Sequence, residues 1–217
     1  MKLLKTVKYE GEMELLSGLA IKSSNNDLNI GGTDSEVIKN PITKMPYVPG
    51  SSLKGKMRSL LELKYGKTGY DKRSGEGSTP CKCGKKDCYV CKIFGAYMNP
   101  GAESAPTRII VRDCSLTEES LAIIHNLPFE LGNFLEEKSE NIINRNTGAA
   151  GSPRMIERVP AGMKFVVNII LQIFEGDDEQ EMKKWVDEAL SLIEDSYLGS
   201  SGSRGYGHVK FNGRWAG

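Results

Sequence analysis

The chain has 217 residues, with 29 Lys and Arg against 28 Asp and Glu, for a formal charge of +1. That length fits one domain, residues 1–217, with room for insertions, and no apolar run reaches the ~18 residues that a membrane-spanning helix needs. The opening Met1-Lys-Leu-Leu-Lys-Thr-Val-Lys8 is too polar for a secretion signal, so the expected compartment is the cytoplasm, with no membrane partner.

Residues 3–15 alternate, with Leu3, Lys5, Val7, Tyr9, Met13 and Leu15 on one side, and read as a strand. Residues 16–50 lack helical period and contain Asn25-Asn26-Asp27, Gly31-Gly32, Pro41, Pro46 and Pro49, which spells a long loop. Ser51 and Ser52 are expected to cap a helix whose apolar face is Leu53, Met57, Leu60 and Leu61, ending near Gly66. A Gly-, Lys- and Cys-rich insertion occupies 67–92. Residues 107–114 read as a strand, 118–127 as a short helix, and 132–160 as an irregular polar segment. Met163–Phe174 is the strongest strand. Met182, Trp185, Val186, Ala189, Leu190 and Ile193 then mark a helix over 178–196 by their 3.6-residue period. A glycine-rich loop at 199–207 leads into a last strand, 208–212. Strand–helix–strand–strand–helix–strand is the order of an α+β, ferredoxin-like (RRM-like) antiparallel sheet with both helices on one face.

The charge is unevenly spread. Residues 117–140 hold six acidic side chains and one Lys, and 174–196 hold nine acidic and two basic. The remainder sums to +13, and 39–92 alone carries 13 basic and four acidic residues. A mean near zero is therefore compatible with one polyanion-binding face, the acidic 178–196 helix turned away from it; solvation of ordinary surface explains the same numbers.

Four of the five cysteines, Cys81, Cys83, Cys88 and Cys91, lie within eleven residues as C-x-C-x4-C-x2-C. Four thiolates this close suit a tetrahedral Zn²⁺ with no open position, hence a structural ion, and Gly84 supplies a tight turn. Disulfides and an iron–sulfur cluster are the competing readings, disfavoured by a reducing compartment and by the spacing respectively. Cys114 reads as a small buried apolar residue.

Gly50-Ser-Ser-Leu-Lys-Gly-Lys56-Met57 resembles a nucleotide-binding phosphate loop except that Met57 replaces the Ser or Thr that holds Mg²⁺, which excludes a nucleotide hydrolase. The same helix start, Gly50, Ser51 and Ser52, still offers backbone N–H groups to a phosphate, with Lys54 and Arg58 one turn apart on a polar face. A capped helix with a solvated face is the plainer alternative. In the second glycine loop, Gly202, Ser203, Arg204 and Gly205 combine backbone approach with donors. His125, in an apolar stretch, is expected to pack, and no Ser–His, Cys–His or H-E-x-x-H arrangement is present. The acid that draws interest is Asp34, in Ile30-Gly-Gly-Thr-Asp-Ser-Glu-Val-Ile38. A carboxylate beside glycines suits a group held near a phosphodiester whose adjacent 2′-hydroxyl is the nucleophile; a turn-forming Asp is the alternative.

Pro46-Tyr-Val-Pro-Gly-Ser-Ser-Leu-Lys-Gly-Lys-Met-Arg58 and Tyr197-Leu-Gly-Ser-Ser-Gly-Ser-Arg-Gly-Tyr-Gly-His-Val209 closely resemble the two signature segments of the RAMP superfamily of CRISPR proteins. Ile30–Pro41 resembles the loop before the first helix in backbone subunits of type III-A (Csm) effector complexes, and Pro153-Arg-Met-Ile-Glu-Arg158 their thumb. The resemblance implies a modified ferredoxin-like fold bearing a thumb at 132–160; the zinc-binding insertion at 67–92 rests on the cysteine spacing. Copies would stack as a filament along one CRISPR RNA, alongside the other subunits of the complex, with the thumb displacing a base of the guide–target duplex. It further implies that Asp34 cuts the target RNA with a divalent cation such as Mg²⁺ or Mn²⁺. Gly50, Ser51, Ser52, Lys54, Arg58, Arg154, Gly202, Ser203, Arg204 and Gly205 would then line the RNA groove. The chain departs from many members at Leu19-Ala20-Ile21, where they carry a His, and only some members have the cysteine insertion. A CRISPR-RNA-processing nuclease and a non-catalytic RNA-binding subunit are the competing functions.

Overall fold

The computed structural model describes residues 1–22, 36–70, 78–127 and 134–216. Its centre is a four-stranded sheet made of β1 (Leu3–Leu15), β5 (Ile109–Val111), β9 (Lys164–Phe174) and β10 (Val209–Ala216). The order across the sheet is β10-β1-β9-β5, every neighbour antiparallel. Counting only these four strands along the chain, that is 4-1-3-2, the ferredoxin-like order expected from the sequence.

Alternation decides which face is covered. In β1, Val7, Tyr9, Met13 and Leu15 are buried; across the register Val7 meets Leu171, Tyr9 meets Ile169 and Met13 meets Phe165, all buried. Against this face pack α1 (Gly50–Lys64), through Leu53, Met57 and Leu61, and α4 (Glu179–Glu194), through Met182, Val186, Ala189, Leu190 and Ile193. Each fully buried aliphatic side chain contributes about 1.5–3 kcal/mol relative to exposure, so this layer is the main source of stability. The opposite sheet face carries Lys8, Glu10, Glu12, Lys210 and Arg214 and is exposed. Among the described residues, no helix is long and apolar enough to cross a membrane.

Short elements fill the connections: β2 (Tyr47–Val48) pairs with β6 (Cys114–Ser115), β3 (Gly69–Tyr70) with β4 (Ser78–Thr79), and α2 (Tyr89–Phe94) follows the cysteines. α3 (Glu118–His125) is capped by Thr117, whose hydroxyl accepts the Ser120 N–H, and α4 by Asp178, which accepts the Glu181 N–H.

The structure corrects four expectations. The expected strand at 107–114 is two short pieces, broken at Arg112-Asp113. Neither Ser51 nor Ser52 caps α1: Pro49 is its N-cap, and the Gly50 N–H donates instead to Asp113 Oδ1 at 2.7 Å. His125 is exposed rather than packed. The segment 132–160 contains a regular antiparallel hairpin of β7 (Glu136–Ile143) and β8 (Ala150–Arg158), not irregular chain. Its strands are polar on both faces because the ribbon stands away from the core, which removes the alternation that marks a half-buried strand.

Candidate nucleic-acid interface

The first signature segment enters α1 with Gly50 fully enclosed: a Cβ there would stand 2.3 Å from the Val111 carbonyl oxygen. Asp113 sits at the positive end of the helix, and the Ser52 and Leu53 N–H groups return to the Pro49 carbonyl. Much of the N–H array expected to meet a phosphate is thus engaged within the fold, while Ser51 and Ser52 face solvent wholly or in part. Lys54 is half-buried one turn on, its ammonium pKa lowered first by burial and then by the Arg58 charge. Arg58 turns inward: Nε donates to Glu62 at 2.7 Å and Nη2 to the Cys81 carbonyl at 2.8 Å.

Lys56 joins the first signature to the second, its ammonium 3.6 Å from the centre of the Tyr197 ring. Beyond Tyr197 the chain folds over that ring, and here glycine is obligatory: a Cβ on Gly202 would lie 1.9 Å from the Tyr197 Cγ. Gly202–Arg204 form a 3₁₀ turn, ended by Gly205 at φ +86°. Ser203, Arg204 and Gly205 are exposed at its apex.

The hairpin meets this loop through Glu140. That carboxylate pairs with the Arg204 guanidinium through Oε2 and accepts the Tyr206 hydroxyl at 2.8 Å through Oε1. Burial and then this bond push the Tyr206 phenol up to about 12. Lys138 and Arg158 cover the Tyr206 ring at 4.6 and 4.9 Å. Between hairpin and loop lies a cleft of about 270 Å³, lined by Lys138, Glu140, Asn141, Ile142, Arg154 and Arg204. Arg154 and Arg204, 50 positions apart in sequence, therefore face one cavity with Lys138 beside them.

Asp34 lies outside the described residues, three positions before Val37. The neck from which its segment departs is well defined: Lys22 bridges Val37, and the Ile38 N–H donates to the Ile21 carbonyl at 2.9 Å. Glu157, buried near the hairpin root, takes the Val37 N–H at 2.9 Å and the Lys39 ammonium at 3.0 Å. Sequence reasoning had not singled out Glu140, Glu157, Asp113 or Tyr197 as partners. No local spacing marks them, since each acts on a residue far along the chain.

The cysteines converge. Cys81, Cys83, Cys88 and Cys91 have sulfurs all within 4.8 Å of one another, with 3.5 Å from Cys91 to Cys81 and 3.7 Å from Cys83 to Cys91. Four thiolates at ~2.3 Å from one tetrahedral ion stand about 3.8 Å apart, so this donor set fits a single metal ion. Those separations are well beyond a disulfide bond of ~2.05 Å. Burial raises the Cys88 and Cys91 thiols; at Cys83 burial is outweighed by hydrogen bonds from the Lys85 backbone and neighbouring thiols, and the net shift is downward. Cys114 is fully buried and its thiol is pushed up to about 12, as suits a core residue.

A ferredoxin-like sheet with two glycine-bearing segments joined beside a cationic cleft defines the class. A RAMP superfamily profile matches residues 12–210, and the chain belongs to that superfamily and, within it, to the Csm3 proteins. The CRISPR system Cms endoribonuclease Csm3 of Methanothermobacter thermautotrophicus is 42% identical over 222 residues, covering 97% of this chain and 85% of its own. Its counterpart in Methanocaldococcus jannaschii is 42% identical over 208 residues, covering 94% and 78%. A crystal structure of a Csm3–Csm4 subcomplex from the type III-A CRISPR-Cas interference complex matches with a TM-score of 0.62 at 31% identity, over 99% of this chain and 80% of that one.

Proposed function

We propose that this chain is a backbone subunit of an RNA-guided type III CRISPR effector complex, that it binds CRISPR RNA together with copies of itself and the other subunits, and that it cleaves the paired target RNA. The observation that carries this reading is convergence. The first and second signatures meet at Lys56 and Tyr197, the second meets the hairpin at Glu140, and the hairpin meets the Asp34-bearing segment at Glu157. Four segments distant in sequence are built into one surface, and the 42% identity to named endoribonucleases spans nearly the whole chain.

Within that surface Lys54, Arg154 and Arg204 are the cations that contact phosphate, with Ser51, Ser52, Ser203 and the exposed Gly205 turn beside them; Gly50 and Gly202 serve by letting α1 and the loop close against Val111 and Tyr197. Arg58 contributes by bracing α1 against the cysteine loop. The hairpin is the thumb. Asp34 is the cleaving residue: next to a phosphodiester pulled out of helical geometry, its carboxylate accepts the 2′-hydroxyl proton while that oxygen attacks phosphorus and the 5′-oxygen leaves. A divalent cation such as Mg²⁺ or Mn²⁺ would supply positive charge at the phosphate. Zinc held by Cys81, Cys83, Cys88 and Cys91 would be structural, since four sulfurs leave no open position.

Assembled complexes carrying Asp34→Ala should bind complementary RNA with unchanged affinity and yield no cleavage products on a denaturing gel. Unchanged cutting would sink the assignment and favour a purely structural RNA-binding subunit.

A further inference from the structure

Glu157 is an unusual residue for the hairpin that carries it. Most of β8 is exposed, yet Glu157 is 5% exposed, and an ionised carboxylate is costly to bury unless both oxygens are engaged. They are: Oε2 accepts the Val37 backbone N–H at 2.9 Å, and Oε1 the Lys39 ammonium at 3.0 Å. Two residues further on, Val159 exchanges both backbone hydrogen bonds with Leu19, at 2.8 and 2.9 Å. Leu19 and Val37 lie on opposite arms of the neck closed by the Lys22–Val37 bridge. The end of the hairpin strand therefore grips both arms from which the Asp34 segment departs.

We infer that Glu157 is a positioning residue for target cleavage, coupling the hairpin to the arm that carries Asp34. Val37 follows Asp34 by three residues, a length of chain that spans at most about 11 Å. Displacement of the hairpin by RNA is transmitted through the carboxylate to Val37 and Lys39 on that arm. This inference rests on the function proposed above.

The test uses the assembled complex with Glu157→Gln, Glu157→Ala, Lys39→Met or Lys39→Arg in this subunit. Target-RNA affinity and the single-turnover cleavage rate at saturating target are measured separately. Glu157→Ala should lower the rate about 10²-fold, as misplacement of a reacting group by ~1 Å does, with affinity unchanged. Glu157→Gln keeps an acceptor for the Val37 N–H but loses the ion pair, so it and Lys39→Met should show a smaller, matching loss that Lys39→Arg restores. Where the alanine variant fails to assemble, the glutamine and methionine variants decide. Wild-type rates in both, or rate and affinity falling together with folded protein, overturn the positioning role. An Asp34→Ala control separates the two readings: cutting by that complex overturns the function itself, whereas its loss beside normal Glu157→Gln cutting overturns only the role of Glu157.

Discussion

The cysteine loop and the hairpin are both polar insertions on the same sheet, but they are held in opposite ways. The loop is packed into the main core of the sheet and helices. Cys81, Cys88 and Cys91 are buried with Val90, Ile93 and Phe94, and the Arg58–Glu62 pair brackets Cys81, Glu62 taking its N–H at 2.8 Å and Arg58 its carbonyl. Its helix is docked by a ring stack, Trp185 of α4 lying 5.5 Å from Tyr89 and 4.4 Å from Tyr65. The hairpin has almost no apolar burial. Among its described residues Ile156 and Glu157 are buried, near the root, where Ile156 packs with Ala20 and Tyr206; beyond them charged contacts and the Leu19–Val159 backbone pair hold it to the body. An insertion packed into the core resists displacement, while one latched mostly by polar contacts moves at smaller cost.

That contrast is breakable by experiment, and metal loss should break it hardest. Cys91→Ser, or treatment with a strong chelator, should unfold the loop, because binding of a structural ion to four thiolates contributes on the order of 10 kcal/mol to the fold that presents them. Amide exchange should rise steeply over 79–95 while exchange across the hairpin and β1 is unchanged. Equal protection before and after chelation, or no metal in elemental analysis, would remove the ion from the picture.

A smaller effect is expected at the hairpin latch. Glu140→Gln should raise amide exchange across β7 and β8, with about 0.2–1 kcal/mol lost locally as the solvent-screened pair with Arg204 goes. The Tyr206 phenol adds a pH signature. Its folded pKa of about 12 lies above the ordinary value of 10.0. The folded chain therefore keeps a proton that the unfolded chain has already released. The stability this contributes is complete below pH ~10 and lost as pH rises toward about 12. In Glu140→Gln that loss should weaken, read by alkaline unfolding followed with a Tyr206-specific signal.

The smallest effects belong to single phosphate contacts. Lys54→Ala or Arg154→Ala should weaken guide-RNA binding and flatten its salt dependence by roughly one unit of slope for each contact removed. Arg58→Ala should differ in kind, since that guanidinium is committed to Glu62 and Cys81: its main loss should be thermal stability of the cysteine loop. A salt slope that changes as much for Arg58 as for Lys54 would show that Arg58 swings out to the RNA.

Legibility followed burial. β1, β9 and α4 were readable to within two residues because each buries one face, and burial imposes a period of two or 3.6 on the apolar residues. The cysteine site was readable because chelation by neighbours in sequence leaves a spacing. The hairpin strands were not, since Glu136–Ile143 and Ala150–Arg158 bury neither face and so show no period.

Charge taught the same lesson. The basic 39–92 stretch has Lys39, Arg58 and Lys64 engaged with Glu157, Glu62 and Glu188, so its formal excess overstates the free positive charge it presents. The acids of α4 are likewise matched, Glu179 pairing with Lys5 and Lys183. Composition, period and motif were enough to establish the sheet order, the helical layer, the cysteine cluster and the family. Which cations point outward, and that Glu140 and Glu157 join the hairpin to the glycine loop and to Val37 and Lys39, depended on contacts across 64 to 120 positions of chain. Such contacts leave no trace in local pattern, because only folding brings their partners within hydrogen-bond reach.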